Sequence, residues 1–183
     1  MRQAKKAIND PEVLHHILRA CRVGRLGTNG KDGYPRIKPL NYVLHEGRIY
    51  FHSAREGEKI DDINRDDRVC FEVDQPLAFV RGAADNPCRA EYLYRSVIIR
   101  GRARIVEDEG ERRSALSALM EKYQPGGGYG PFREEKLAIT AVVRIDIEAM
   151  SGKEDLGKGP HRERVLDVLR KESSDALVPD LDP

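Results

Sequence analysis

The sequence predicts a mainly β fold, an antiparallel barrel of about six strands with peripheral helices. Three observations carry that prediction. Residues 94–107 alternate, with Val97, Ile99, Gly101, Ala103 and Ile105 on one face and Ser96, Ile98, Arg100, Arg102 and Arg104 on the other, the period of a strand. Two hairpins follow one another early in the chain, turning at 29–33 and 45–47. The strand–helix rhythm of a doubly wound parallel sheet is missing.

Taken in order, Asp10-Pro11-Glu12 opens a helix with a capping carboxylate, a proline at the first helical position and an acid in the first turn. Val13, Leu14, Ile17, Leu18 and Cys21 then recur at helical spacing. Residues 23–28 read as a strand, 34–44 as a second, kinked or at an edge because of Pro35 and Pro39, and 48–53 as a third. A short helix over 57–65 turns Ile60 and Ile63 inward. In the strand 68–74, Val69, Phe71 and Val73 alternate with Cys70 and Glu72; residues 75–90, with Pro76 and Pro87, are expected to be a long surface loop. After the strand 94–107 comes a helix over Glu109–Tyr123 carrying Leu116, Leu119, Met120 and Tyr123. Residues 124–131 are glycine-rich and expected to be a mobile loop, a candidate lid, and 141–149 form the last strand. The domain spans 10–155. The tail, 156–183, holds one short helix over 162–171 and an acidic, proline-containing end expected to fray.

Composition narrows the function classes. Lys and Arg nearly balance Asp and Glu, for a net charge of +1, which argues against a polybasic nucleic-acid binder. Met1-Arg2-Gln3-Ala4-Lys5-Lys6 leads into no apolar run, so no secretory signal is expected, and no segment reads as a membrane span. The 3 cysteines, Cys21, Cys70 and Cys88, form no CxxC pair and are read as buried structural thiols in a reducing cytoplasm.

The chemistry centres on residues 49–63, where a hydrophobic strand enters a polar turn and then a helix. Amides at a helix start are unpaired and the dipole is positive there, which suits a phosphate. Ser53 offers a hydroxyl, Lys59 a full charge, and Gly57 close backbone approach. Other candidates are weaker. His15 and His16 point about 100° apart on a helix and cannot chelate one metal unaided. Arg100, Arg102 and Arg104 read as a solvated barrel exterior ahead of an anion stripe. The glycine-rich 124–130 lacks the Lys-Ser/Thr ending of a P-loop.

Tyr50-Phe51-His52-Ser53-Ala54, followed by Gly57 and Lys59, resembles the flavin-phosphate segment of the pyridoxamine 5′-phosphate oxidase-like split barrels, and within them the nitroimidazole-resistance branch. Residues 23–28 with Asp32-Gly33-Tyr34-Pro35 resemble that family's opening hairpin, and Arg36-Ile37-Lys38-Pro39-Leu40-Asn41-Tyr42 its strand along the isoalloxazine ring. Residues 94–101 resemble its later strand and Ser151-Gly152-Lys153-Glu154 its close. The resemblance implies a six-stranded antiparallel FMN-binding split barrel and a homodimer with FMN at the subunit interface. It places Arg36, Ile37, Lys38, Pro39, Leu40 and Asn41 along the ring, His52, Ser53, Gly57 and Lys59 at the ribityl phosphate end, and Ser96 near the flavin.

His52 matches a histidine regarded as an active-site residue in that branch, and is the candidate catalytic group; a local hydrogen-bonding role is the alternative. The implied activity is an FMN-dependent oxidoreductase, nitroreductase-like, that passes electrons from a reduced donor to a small electrophile. Two departures lead away from pyridoxamine phosphate oxidation itself: Glu58 stands where those enzymes carry arginine, and the chain has no Trp for their substrate segment. The rival reading is a non-catalytic flavin- or haem-binding carrier or sensor, with His52 as an axial ligand.

Overall fold

Alternation in sequence becomes alternation in burial. In β2 (Val23–Asn29), Gly24, Leu26 and Thr28 are buried between exposed or half-exposed neighbours, and in β6 (Arg68–Val80) Val69, Phe71 and Val73 are buried while Cys70 is exposed. The other strands are β1 (Ala7–Ile8), β3 (Pro35–Asn41), β4 (Val43–His45), β5 (Arg48–Ala54), β7 (Glu91–Ile105) and β8 (Thr140–Asp155). The helices are α1 (Pro11–Ala20), α2 (Glu58–Arg65), α3 (Glu109–Tyr123), α4 (Glu134–Ile139) and α5 (Gly159–Lys171). This computed structural model describes residues 4–82 and 84–171, so the expected frayed end lies outside the described residues beyond α5.

The strands form one 8-stranded sheet in the order β3-β2-β6-β7-β8-β5-β4, with β1 added on β8. The pairs β1–β8, β2–β3, β2–β6, β4–β5 and β5–β8 are antiparallel. The two ends of this order, β3 and β4, are consecutive in the chain with Tyr42 between them, so the sheet curls back on itself as a split barrel. Six strands were expected. The count rises to eight because the expected strand 34–44 breaks into β3 and β4, and because β1 adds a two-residue pairing.

The break falls at Tyr42, not at a proline. Pro39 pairs with Arg25 inside β3, where an outer strand needs no outward N–H. Tyr42 is fully buried, its hydroxyl donating to the Leu18 carbonyl at 2.6 Å and its ring 4.8 Å from Phe71. Its backbone N–H donates to the Tyr123 hydroxyl at 3.0 Å, and that hydroxyl stands 3.0 Å from the Tyr42 carbonyl, so one side chain of α3 replaces a strand partner.

The chain divides into two compact units, one built from the residues up to Gln75 with Ser96–Lys153, the other from Pro76–Arg95 with the residues from Glu154 onward. In the first unit, α1 packs Leu14, Ile17 and Leu18 into a core with Leu26, Phe51, Phe71, Ile99 and Ile145. A second cluster joins Val43, Tyr50 and Val142 to Ala115, Leu116 and Leu119 of α3 and Leu137 of α4. Strand β5 is therefore buried on both faces at Ile49, Tyr50 and Phe51. The second unit has its own cluster of Leu93, Leu156 and Val165.

Several expectations are corrected. Residues 75–80 continue β6 instead of opening a loop: β2 pairs only with Cys70 to Glu72, so beyond them Pro76 breaks no ladder on that side. Strand β7 starts at Glu91 and β8 runs on to Asp155, both longer than expected. Of the cysteines only Cys21 is buried; Cys70 lies on the outward phase of β6 and Cys88 in an exposed 3-10 turn. Among the described residues no helix is long and apolar enough to cross a membrane.

Candidate functional site

Strand β5 enters α2 through Arg55-Glu56-Gly57. Gly57 sits at φ 115°, ψ 167°, a conformation that side chains disfavour, and it caps α2 without any side-chain acceptor for the first-turn amides. Next to it, the Lys59 ammonium lies 5.4 Å from the Phe51 ring centroid and makes no ion pair among the described residues. Burial first, and then the charge of Lys38, pull its pKa below the ordinary lysine value. An uncompensated, partly desolvated cation beside an uncapped helix start is a place that an anion relieves.

Glu58 behaves differently. It takes an ion-paired hydrogen bond from Lys38 and lies 3.4 Å from Nη1 of Arg36, whose Nη2 reaches Asp32 at 2.8 Å. The Lys38 hydrogen bond, then the Arg36 charge, hold the Glu58 carboxyl below its usual range. Arg36 keeps one buried atom, Nε, with no hydrogen-bond partner. Helix α2 is pinned to β2 by Asp62, which is buried and accepts from Thr28 Oγ1 at 2.9 Å and Arg65 Nη2 at 2.8 Å. Burial alone would raise the Asp62 pKa; the Arg65 and Thr28 hydrogen bonds outweigh it.

The expected site residues fall into groups. On β3, Arg36, Lys38 and Leu40 share the half-buried face, while Ile37, Pro39 and Asn41 share the exposed one. Ser53 shares the Phe51 face of β5, the side over which Lys59 lies, so Arg36, Lys38, Ser53, Gly57 and Lys59 gather about the start of α2. His52, exposed, shares the Tyr50 face toward α3. With Asn41 it lines a cavity of about 310 Å³ walled by Leu116, Leu119, Met120, Tyr123, Phe132 and Leu137, with Arg133, Lys136 and Thr140 completing it. Ser96 is not brought to either group: β2 and β6 separate β7 from β3 in the sheet, and β8 separates it from β5.

The cavity wall was not anticipated. Leu116, Leu119, Met120 and Tyr123 read in sequence only as the apolar residues of a helix, and α4 was not recognised; its acids Glu134 and Glu135 in the first turn followed by Lys136 were the available signal. Of the exterior arginines, Arg102 pairs with Asp67 and Glu148 and Arg104 with Asp146, while Arg100 is exposed and makes no ion pair among the described residues. His15 lies 3.7 Å from Glu12, its i,i+3 neighbour. Among the described residues no three or more His, Cys, Asp or Glu side chains gather as a metal would require. In the glycine-rich segment, Gln124 Nε2 donates to the Gly127 carbonyl at 2.7 Å, closing a turn.

Comparison with known proteins adds to this geometry. The sequence profile of the pyridoxamine 5′-phosphate oxidase family matches residues 10–154. A 5a,11a-dehydrotetracycline/5a,11a-dehydrooxytetracycline reductase of Streptomyces rimosus is 32% identical over 113 residues, 59% of this chain and 72% of that protein. Among solved structures, a candidate 5-nitroimidazole antibiotic resistance protein from Bacteroides thetaiotaomicron superposes with a TM-score of 0.72 at 24% identity, over 81% of this chain and 86% of that one. A flavocytochrome of Azotobacter vinelandii superposes with a TM-score of 0.76 at 23% identity, over 100% of this chain and 87% of that one. At these identities the two structures show a shared fold.

Proposed function

The chain belongs to the pyridoxamine 5′-phosphate oxidase family, and on that premise we propose that it is an FMN-dependent oxidoreductase acting on a small electrophile. The observation that carries the cofactor assignment is Lys59: an ammonium without an ion-pair partner among the described residues, beside a helix start that no side chain caps. The orphaned Nε of Arg36 is a further donor in the same neighbourhood. These features fit the terminal phosphate of a mononucleotide. Lys59, Ser53 and the Gly57 backbone would hold it, and the β3 segment Arg36 to Asn41 would lie along the ring. Bound flavin would supply two-electron transfer, and the chain would position it.

His52 is the catalytic candidate because its ring makes no hydrogen bond among the described residues and faces a cavity able to hold an acceptor. Glu58, standing where true pyridoxamine phosphate oxidases carry arginine, and the absence of Trp lead away from pyridoxamine phosphate as the substrate. The reductase activity of the Streptomyces relative supports an oxidoreductase reading. The proposal includes a homodimer with FMN at the interface and a cytoplasmic location.

Lys59→Ala should weaken FMN binding by about tenfold or more, as loss of a charge-assisted contact implies. Quenching of flavin fluorescence on titration measures it, and unchanged affinity would overturn the phosphate site. The purified protein should show flavin absorption bands; a Soret band in their place would decide for the haem carrier.

A further inference from the structure

The cavity under α3 and α4 has apolar walls and an unusual polar complement. Thr140 spends its hydroxyl on the Lys136 carbonyl at 2.8 Å, and the Tyr123 hydroxyl is held by the backbone of Arg22 and Tyr42. Asn41, His52, Arg133 and Lys136 make no side-chain hydrogen bond or ion pair among the described residues. Most nearby acids are engaged elsewhere: Glu109 by Arg112 and Arg113, Glu134 by Arg113, and Glu111 by Arg144 and the Tyr50 hydroxyl; Glu135 is exposed and does not line the cavity. Arg133 and Lys136 are thus two cations, three positions apart, that form no ion pair among the described residues and border an apolar cavity lined by no acid.

We propose that this cavity is a binding site for a compact, apolar carboxylic acid. The carboxylate meets Arg133 and Lys136, whose guanidinium and ammonium offer convergent charged donors. The hydrocarbon body lies on Leu116, Leu119 and Phe132, and its far end reaches the amide of Asn41 and the ring of His52. At about 310 Å³ the cavity stands at the lower end of small-molecule sites, which favours a body of one or two rings. The site is defined by the cavity and its cations alone and does not depend on flavin being the cofactor.

Calorimetric titration of the purified full-length protein with trans-cinnamate and with its neutral analogue cinnamyl alcohol tests this. The acid should bind one per chain and about tenfold more tightly than the alcohol, the difference two solvent-exposed ion pairs supply. In Arg133→Gln/Lys136→Gln, exposed positions whose change leaves the core intact, acid and alcohol should bind alike. Met120→Trp, which fills the cavity, should abolish both, with retention of the fold checked by its melting curve. Equal binding of acid and alcohol to the parent, no binding of either at millimolar concentration, or a preference for the acid that survives in the double variant would each overturn the proposal.

Discussion

Lys122 shows how one side chain can serve two elements at some energetic cost. Its ammonium donates to the Leu18 and Cys21 carbonyls at 3.2 and 2.7 Å, closing the end of α1 from α3, and lies 3.7 Å from the Tyr42 ring centroid. Burial pulls its pKa from 10.5 down to about 8, while burial pushes the adjacent Cys21 thiol from 9.0 up to about 11. Between about pH 8 and 10.5 the unfolded chain keeps a proton on Lys122 that the folded chain has released, so stability rises with pH. Between pH 9.0 and about 11 the folded chain keeps the Cys21 proton that the unfolded chain has lost, so stability falls. Urea unfolding should therefore show stability climbing from about pH 8 to 9, levelling, and dropping above about pH 10, where the buried Tyr42 and Tyr123 hydroxyls also keep protons that the unfolded chain releases. In Lys122→Met the climb should vanish and the drop should begin near pH 9; a parent curve flat from pH 8 to 9 would refute the assignment.

At the scale of elements, β7 and β8 leave no room for a side chain at Gly101. A Cβ placed on Gly101 would strike the carbonyl oxygen of Asp146, an atom that cannot move aside as a side-chain tip can. Gly27, by contrast, has only ordinary contacts around its would-be Cβ, the nearest at 3.5 Å. Gly101→Ala should cost about 1–3 kcal/mol by overpacking and Gly27→Ala much less, measured as the difference in unfolding free energy. Such contrasts are invisible in sequence, where both glycines simply interrupt strands. Helix α1 was legible because Asp10 caps it, accepting from the Glu12 amide at 2.9 Å, and α3 from its apolar residues; the Asp108 cap, accepting from the Glu111 amide at 2.7 Å, was not part of that reading. The extension of β6 was not, because Pro76 reads as a breaker until one knows that β2 has already ended beside it. Lys59 and Gly57 were legible from helix-start electrostatics and the family resemblance. The cavity was not: an apolar helix face says that it packs, but not that its partner α4 leaves space beside His52.

At the scale of the molecule, the proposed cofactor site is divided between places that one chain keeps apart. Ser96 on β7 stands away from the Lys59 group, while Tyr34 and Ile37, 72% and 66% exposed, present apolar surface beside β3. A second protomer laid on that surface would cover these residues and could bring its own β7 toward the flavin, which is the homodimer proposed above. Sedimentation equilibrium of the flavin-loaded protein should return the mass of two chains; a monomer that retains its flavin would sink the shared-site reading.

The prolines of β3 have a bearing on how such copies can meet. Proline has no amide to give, so Pro35 and Pro39 must stand where the backbone faces away from β2, and the period of two puts Ile37 and Asn41 there as well. An incoming strand would thus find donors missing at alternate outward positions, with Arg36 and Lys38 charged between them. That rim resists runaway strand addition, the route to fibrils, and it leaves face-to-face contact as the open path to assembly.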